Sequence, residues 1–213
     1  MQLDVFTLVP HAFAWLTEQR PVATVLGSEL DLRLFSYRDS TPLRAGQVDD
    51  EPYGGGAGMV LRVDVVDAAL ASVYGDERPQ RVIALSPQGR PLTQAVVEEL
   101  AVQERVTLLS ARFEGFDERV VEHLTTDAIS IGPYVLSNGD LPAMVLVDAI
   151  ARRLPGALSE GSGELESFSA ELGGALEYPH YTRPAEYRGW RVPDVLLSGD
   201  HARIERWRRE QVR

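Results

Sequence analysis

The chain has 213 residues, of which 44% are hydrophobic and 25% are charged, proportions typical of a globular protein with one large domain or a large and a small one. It contains no cysteine, which excludes disulfides, thiolate metal sites and cysteine nucleophiles. No apolar run approaches the roughly 20 residues of a membrane helix, and the N-terminus lacks the segments of a signal peptide, so a cytoplasmic location without membrane contact is expected.

The charge is unevenly distributed along the chain. The formal net charge is -11, and all 21 basic residues are arginines. Residues 183–213 contain eight arginines against five acids, so a basic segment ends an otherwise acidic chain. Arginine binds phosphate with two parallel hydrogen bonds and stacks on bases, so this end of an acidic chain can still bind RNA. The alternative is a genome-wide preference for arginine combined with a solvated terminal helix.

Strands and helices are predicted to alternate along the first three quarters of the chain. Continuous apolar strands separated by helices indicate an α/β fold with a parallel sheet covered on both faces. The predicted strands are 3–9, 31–37, 81–86, 105–110 and 128–136, and the predicted helices are 10–19, 63–74, 93–103, 117–125 and 141–154.

The composition changes after the last of these helices. Residues 155–178 are rich in Gly, Ser and Glu, which is typical of a mobile linker. An amphipathic helix is predicted at 200–213. We therefore expect an α/β domain at 1–157, a flexible linker at 158–178 and a small, mostly helical domain at 179–213.

Three loops follow predicted strands at their carboxyl ends, where open α/β sheets bind ligands. They are residues 86–90, 110–119 and 130–144, and each combines Gly or Pro with small polar residues. The dinucleotide fingerprint and the P-loop motif are both missing. These loops predict a small polar ligand, although glycines at such places are often only turns.

Six motifs, in order and spanning nearly the whole chain, carry a more specific resemblance. They are VDDEPYGGGAGM, LSPQGR, FEGFDERV, SIGPYVLSNGDLPAM, PHYTRP and VPDVLLSGDHARIERWR. Together they resemble the bacterial tRNA (guanine-N1)-methyltransferases, the TrmD family of the SPOUT superfamily, which modify the guanine immediately 3′ of the anticodon. The resemblance implies a deep trefoil knot, an S-adenosylmethionine pocket built by the knot loops, and a homodimer with its active site at the subunit interface.

The resemblance also implies which residues bind the cofactor. Backbone groups of the three loops would hold the adenine edge, apolar side chains would flank its ring, and Glu114 would accept from the ribose or the methionine amino group. For Leu85, Ile131 and Leu136 a purely structural role in the core is an equal alternative. The implied residues are Leu85, Ser86, Pro87, Gly89, Ala111, Phe113, Glu114, Gly115, Ser130, Ile131, Gly132, Tyr134, Leu136, Asn138, Gly139 and Pro142.

The chemistry requires a base and a stabilising cation. Guanine N1 is a poor nucleophile until its proton leaves and negative charge spreads to O6. Alignment with the family places Glu166 at the base position, where relatives usually have Asp, and Arg152 at the position of the stabilising arginine. Glu164 is the rival base. The resemblance further implies a magnesium requirement, although the sequence has no spaced cluster that defines a protein metal site.

The target guanine and the rest of the tRNA are expected to contact three segments. Asp50 and the backbone of Gly54, Gly55, Gly56 and Gly58 would meet the guanine, although an acidic β-turn is the structural alternative. Trp190 and Trp207 could stack on bases but are expected to anchor the core of the small domain. Phosphates would be held by His180, Tyr181 and Arg183, and by Arg203, Arg206, Arg208 and Arg209 of the terminal helix.

Several positions depart from the family pattern. Ala111, Phe113, Pro133 and Asn138 stand where Gly, Tyr, an acid and Gly are usual, and Pro133 removes a backbone donor from a cofactor loop. Relatives continue beyond the position of Arg213 into further basic helical sequence, so a truncated C-terminal domain and weaker tRNA affinity are expected. The alternatives to an active enzyme are a weakened protein that binds RNA or cofactor, and a SPOUT methyltransferase acting on another RNA.

Overall fold

The computed structural model describes residues 1–159 and 166–213. Two compact units make up the chain, Met1–Leu158 and Ser159–Arg213. In chain order the first unit contains β1 (Gln2–Thr7), α1 (Ala14–Glu18), α2 (Val22–Val25), β2 (Asp31–Ser36), α3 (Tyr37–Ser40), β3 (Asp49–Asp50), β4 (Val60–Leu61), α4 (Val63–Tyr74), β5 (Val82–Pro91), α5 (Gln94–Ala101), β6 (Arg105–Ser110), α6 (Glu118–Leu124), β7 (Asp127–Ser130) and α7 (Asp140–Ala151). Short 3-10 helices at Pro10–Phe13 and Arg44–Gly46 complete it.

The predicted parallel sheet is confirmed. Five parallel strands pair in the order β2-β1-β6-β5-β7. Alternate residues of β1 enter separate apolar cores, with Leu3 and Val5 on one face and Phe6 on the other. Helices α2, α5 and α7 cover the first face, and α4 and α6 cover the second. Both faces are therefore buried, which explains why these strands are continuously apolar.

The helices begin and end at residues suited to those places. Thr93 accepts a hydrogen bond from the Val96 backbone N–H at the start of α5, and Asp117 accepts from Arg119 N at the start of α6, as N-cap residues do. Gly75, with φ of 60°, ends α4, a backbone conformation that glycine adopts readily. These caps fix the bounds within which the loops between strands and helices must lie.

Two predicted strands differ from those observed. The predicted strand 128–136 ends at Ser130, because the Ser130 hydroxyl donates to Gly132 O and accepts from Gly132 N, which turns the chain. The predicted strand 81–86 extends to Pro91, since its register on β7 shifts between Leu85 and Arg90. Residues 86–90 are therefore an irregular continuation of β5 that lies against β7.

The second unit contains two short strands and two helices among its described residues: β8 (Glu186–Tyr187), β9 (Trp190–Arg191), α8 (Asp194–Leu197) and α9 (His201–Gln211). The terminal amphipathic helix was predicted and is present as α9. The described part of the predicted linker forms hydrogen-bonded turns, in which Phe168 N donates to Ala175 O. Within residues 1–159 and 166–213, no helix is long and apolar enough to cross a bilayer.

Candidate active site

The three predicted ligand loops surround one pocket at the carboxyl ends of β5, β6 and β7. Of the sixteen predicted cofactor residues, all except Gly89 line it. The lining consists of Leu85, Ser86, Pro87, Ala111, Arg112, Phe113, Glu114, Gly115, Ile129, Ser130, Ile131, Gly132, Tyr134, Val135, Leu136, Ser137, Asn138, Gly139 and Pro142. The structure thus brings together residues from positions 85 to 142 that the sequence only places in separate loops.

Gly89 has a different place. A Cβ atom at this position would lie 2.4 Å from the carbonyl carbon of Ala128 and from the nitrogen of Ile129, closer than any real side chain approaches a backbone. Glycine is required because the irregular end of β5 crosses the β7 backbone here. Gly89 therefore packs on the backbone of Ala128 and Ile129 and is absent from the pocket lining.

The second loop, residues 110–119, presents both apolar and acidic groups. Phe113 has a left-handed φ of 61° and its side chain is 46% exposed, an unusual combination for an aromatic residue. Strained backbone of this kind is concentrated at functional sites. Glu114 lies beside it in the lining, so an exposed ring and a carboxylate face the same pocket.

The third loop, residues 130–139, closes on the second. Gly139 N donates to Ala111 O at 2.8 Å, and a Cβ atom at Gly139 would lie 3.0 Å from the Ser110 α-carbon. Asn138 Oδ1 accepts from Asp140 N at the start of α7. Glycine at 139 therefore permits a close backbone approach, and the Asn138 side chain binds the first backbone N–H of α7.

A buried acid under the pocket was missed by the sequence reasoning. Asp140 is 4% exposed, and its Oδ1 accepts from Thr7 Oγ1 at 2.5 Å and Ser110 Oγ at 2.6 Å. Burial, together with the charge of Asp140, raises the pKa of Tyr37 well above its ordinary value. This carboxylate joins the ends of β1 and β6 to the first turn of α7. An acid opening an otherwise apolar helix was the available signal.

The guanine loop, residues 51–59, is the glycine-rich segment predicted to contact the guanine. It connects β3 to β4 and lies against the second cofactor loop. Met59 O accepts from Glu114 N at 2.9 Å, and Leu61 N donates to Gly115 O at 3.0 Å. Gly54, Gly55, Gly56 and Gly58 all have positive φ. The short β3–β4 hairpin therefore holds this loop next to the pocket, and its turns depend on glycine.

Asp50, the predicted guanine acceptor, already has a basic partner. Arg62 Nη1 lies 2.9 Å from Asp50 Oδ2, and the same guanidinium contacts Asp64 at 2.8 Å. The pKa of Asp64 is lowered, chiefly by its hydrogen bond with Arg62. Arg62 was missed, because nothing in the sequence shows that the residue after β4 faces Asp50.

The predicted residues of the second unit lie on its exposed surface or in its turns. Glu166 O accepts from Ser169 N, and His180 Nε2 lies 2.9 Å from Glu177 Oε2. Arg209 pairs with Glu205 on α9. Arg183 and Arg206 are exposed, whereas Glu164 lies outside the described residues.

The two tryptophans of this unit differ in burial. Trp207 is half-buried and its ring centroid lies 6.4 Å from that of Tyr181, consistent with the predicted core anchor. The same prediction is wrong for Trp190, which is 70% exposed on β9 with its ring 5.9 Å from Tyr187. The short hairpin, with Arg188 and Gly189 both at positive φ, holds the indole away from the core of the unit.

Arg152 belongs to the first unit and follows the last residue of α7. Its backbone N–H donates to Asp148 O at 3.1 Å. Burial raises the pKa of Asp148, and the charge of Arg152 acts in the opposite direction. A cation at a helix C-terminus also lies at the negative end of the helix dipole.

Comparison with known proteins gives a consistent family match. The family model described as tRNA (Guanine-1)-methyltransferase TrmD matches residues 1–213. A tRNA (guanine-N(1)-)-methyltransferase of Brevibacillus brevis is 49% identical over 98% of this chain and 85% of its own length. Proteins of the same name from Dehalococcoides mccartyi and Bacillus cereus are 47% and 44% identical, each over 99% of this chain and 85% and 86% of their own lengths.

Proposed function

Because the chain belongs to the tRNA (guanine-1)-methyltransferase family, we propose that it transfers a methyl group from S-adenosylmethionine to N1 of the guanine immediately 3′ of the anticodon. One observation carries this proposal beyond the family match. Three separate loops form a single pocket from fifteen of the sixteen residues expected to bind the methyl donor.

The chemistry of the pocket fits S-adenosylmethionine. Its adenine needs apolar faces and backbone hydrogen bonds, which Ile131, Leu136 and the turns around Gly132 and Gly139 offer. Its ribose hydroxyls and amino group need an acceptor, and the Glu114 carboxylate lines the same pocket. Phe113, Tyr134 and Leu136 are 46%, 54% and 37% exposed, and apolar groups exposed together indicate a ligand or partner surface.

The protein must remove the proton from guanine N1 and stabilise the guanine anion that results. Bound S-adenosylmethionine supplies an electrophilic methyl group on a sulfonium. Glu166 takes the N1 proton as general base, and Arg152 stabilises the negative charge that develops at O6. Asp50 accepts from the guanine N2 amino group and is oriented by Arg62. The guanine ring lies along the glycine backbone of residues 54–58.

Self-association would complete this site. Leu141 and Val145, four residues apart on α7, are 56% and 44% exposed, and Val135 is 83% exposed beside the pocket. These exposed apolar residues, of which Val135 also lines the pocket, favour a second copy of the chain as their partner. We therefore propose a homodimer with the active site at the subunit interface.

The trefoil knot is proposed on the close backbone crossings of the loops. The end of β5 lies directly on the β7 backbone at Gly89, and the segment leading into α7 lies on the end of β6 at Gly139. Both crossings exclude side chains, as expected where a chain passes through a loop of its own backbone. The proposed domains remain 1–157 and 179–213, with residues 158–178 as the segment that connects them.

Magnesium is proposed as part of the complex of tRNA and methyl donor. Within the described ranges, no group of three acidic, histidine or cysteine residues could hold a metal ion. We therefore assign no protein ligands to it and place no step of the reaction on it.

The test is methyl transfer to two transcripts of one tRNA, with guanine or adenine immediately 3′ of the anticodon. Incorporation only into the guanine transcript is expected. Equal incorporation into both would indicate another target and favour a methyltransferase for another RNA site. Donor binding without incorporation into either would favour a binding protein built on the same scaffold.

A further inference from the structure

A second cavity adjoins the proposed methyl-donor pocket. It is lined by Leu8, Val9, Arg38, Arg112, Phe113 and Ser137. Arg112, Phe113 and Ser137 line both cavities, so the two spaces share a wall. Two arginines thus line a space that adjoins the proposed donor pocket.

Most arginines of the first unit are paired with carboxylates. Ion pairs of 4.0 Å or less hold Arg33, Arg62, Arg78, Arg81, Arg90, Arg119 and Arg153. In residues 1–159 and 166–213, by contrast, neither Arg38 nor Arg112 has a carboxylate within this distance. Two unneutralised cations in one cavity are notable in a chain of net charge -11.

The fold places both side chains at the ligand-binding edge of the sheet. Arg38 lies in α3 directly after β2, and Arg112 follows β6. Arg38 Nη1 donates to Gly46 O at 2.5 Å, which orients the guanidinium and leaves its other donors available. Arg112 is half-buried, so its charge is less screened by solvent than that of a surface arginine.

We propose that Arg38 and Arg112 bind a phosphodiester of the tRNA next to the nucleotide that is methylated. This inference rests on the proposed function. A nucleotide whose base meets the methyl donor must leave its flanking phosphates within one nucleotide length of that pocket. Guanidinium groups match phosphate oxygens in geometry and charge. The carboxylate of the methyl donor has related chemistry, so the experiment must separate these two sources of negative charge.

The experiment measures tRNA and donor binding separately. Unmodified tRNA is titrated into the wild-type protein, the double variant Arg38→Gln/Arg112→Gln and the control Arg105→Gln at several salt concentrations. S-adenosylmethionine is titrated calorimetrically into the same three proteins. Arg105 is exposed at the amino end of β6, opposite Arg112, so its substitution removes one charge away from the cavity. The single variant Arg112→Lys tests whether charge alone is sufficient.

The double variant is expected to bind tRNA at least about tenfold more weakly, and the slope of log affinity against log salt should fall by about 1 per lost phosphate contact. Donor affinity of the double variant should fall much less than its tRNA affinity, because only Arg112 of the two also lines the donor pocket. Both affinities of Arg105→Gln should stay within about twofold of the wild type. The tRNA affinity of Arg112→Lys should lie between that of the wild type and that of the double variant.

Three results would overturn the inference: unchanged tRNA affinity, loss of donor affinity alone, and equal loss of both. The second would assign the arginines to the donor carboxylate. The proposed function is judged separately from methyl transfer by the wild type. If the wild type methylates guanine and the double variant binds tRNA with wild-type affinity, only the proposed phosphodiester site at Arg38 and Arg112 is contradicted.

Discussion

The α-carbon of Gly58 lies against the side chain of Glu114. A Cβ atom at position 58 would be 2.4 Å from Glu114 Oε1 and 2.6 Å from its Cγ. The proposed guanine loop and the proposed donor pocket therefore share this contact. Any side chain at 58 must displace the Glu114 side chain, which lines the proposed donor pocket.

Gly58→Ala is expected to weaken donor binding by about tenfold, because the loss of a charge-assisted hydrogen bond costs about 1.5–3 kcal/mol. Calorimetric titration of S-adenosylmethionine measures this loss. The matched control is Gly27→Ala, which has nearly the same φ (80° against 82°) but open space around the added methyl group. Equal donor affinity in the two variants would show that the Gly58–Glu114 contact is not needed.

Glu166→Gln should reduce the methyl-transfer rate by at least about a hundredfold, since general base catalysis contributes roughly 10²–10⁴-fold. Donor binding should be unchanged, because the pocket lining does not include Glu166. Single-turnover rates and calorimetry together provide the check. Glu171→Gln, an exposed acid in the same unit, is the control, and Glu164→Gln tests the rival base. A rate loss confined to Glu164→Gln would transfer the role of base to that residue.

Asp140→Asn should lower the free energy of unfolding by about 2 kcal/mol, since hydrogen bonds to a charged group contribute about 1.5–3 kcal/mol. Thr7 and Ser110 would lose the charge that attracts both hydroxyl protons. Denaturant unfolding measures the change. Asp148→Asn, a half-exposed acid on the same helix, should stay within about 0.5 kcal/mol of the wild type. Similar changes in both variants would mean that the buried carboxylate contributes nothing specific.

Asp117→Ala removes the N-cap of α6 and should cost about 1 kcal/mol of stability at pH 7. The hydrogen bond from Arg119 lowers the pKa of Asp117 below its ordinary value of 3.8. Because the folded state binds the proton less tightly than the unfolded state, the stabilisation is present above the unfolded pKa and is lost as pH falls through the folded pKa.

Denaturant unfolding of the wild type and of Asp117→Ala at pH 7 and at several pH values below 4 tests this linkage. The difference between the two proteins should shrink as the pH falls. Asp117→Asn retains a capping oxygen without the charge and should be intermediate at pH 7. A difference that stays constant with pH would assign the effect to the cap alone.

The sequence predicted the sheet and the pocket for a physical reason. Apolar strands such as 105–110 can only be buried on both faces, and the loops after parallel strands meet at one edge. Local patterns could not show that Gly89 faces the β7 backbone rather than the pocket. The contact between Thr7 and Asp140 joins residues 133 positions apart, and no local pattern encodes it.

The sequence also could not show which arginines form ion pairs. Composition gives the number of arginines, but only the fold shows that Arg62 contacts Asp50 whereas Arg38 and Arg112 lack an acid partner among the described residues. Trp190 was misplaced for a local reason, because the short turn at Arg188 and Gly189 decides its exposure. The other residues that were missed or misplaced are those whose role depends on distant neighbours.

The most direct test of the central claim is identification of the methylated nucleoside. Unmodified tRNA with guanine 3′ of the anticodon is incubated with the protein and labelled S-adenosylmethionine, then digested and analysed by chromatography and mass spectrometry. We expect 1-methylguanosine from the wild type and at least about a hundredfold less from Glu166→Gln. Label in any other nucleoside, or equal label with both proteins, would contradict it.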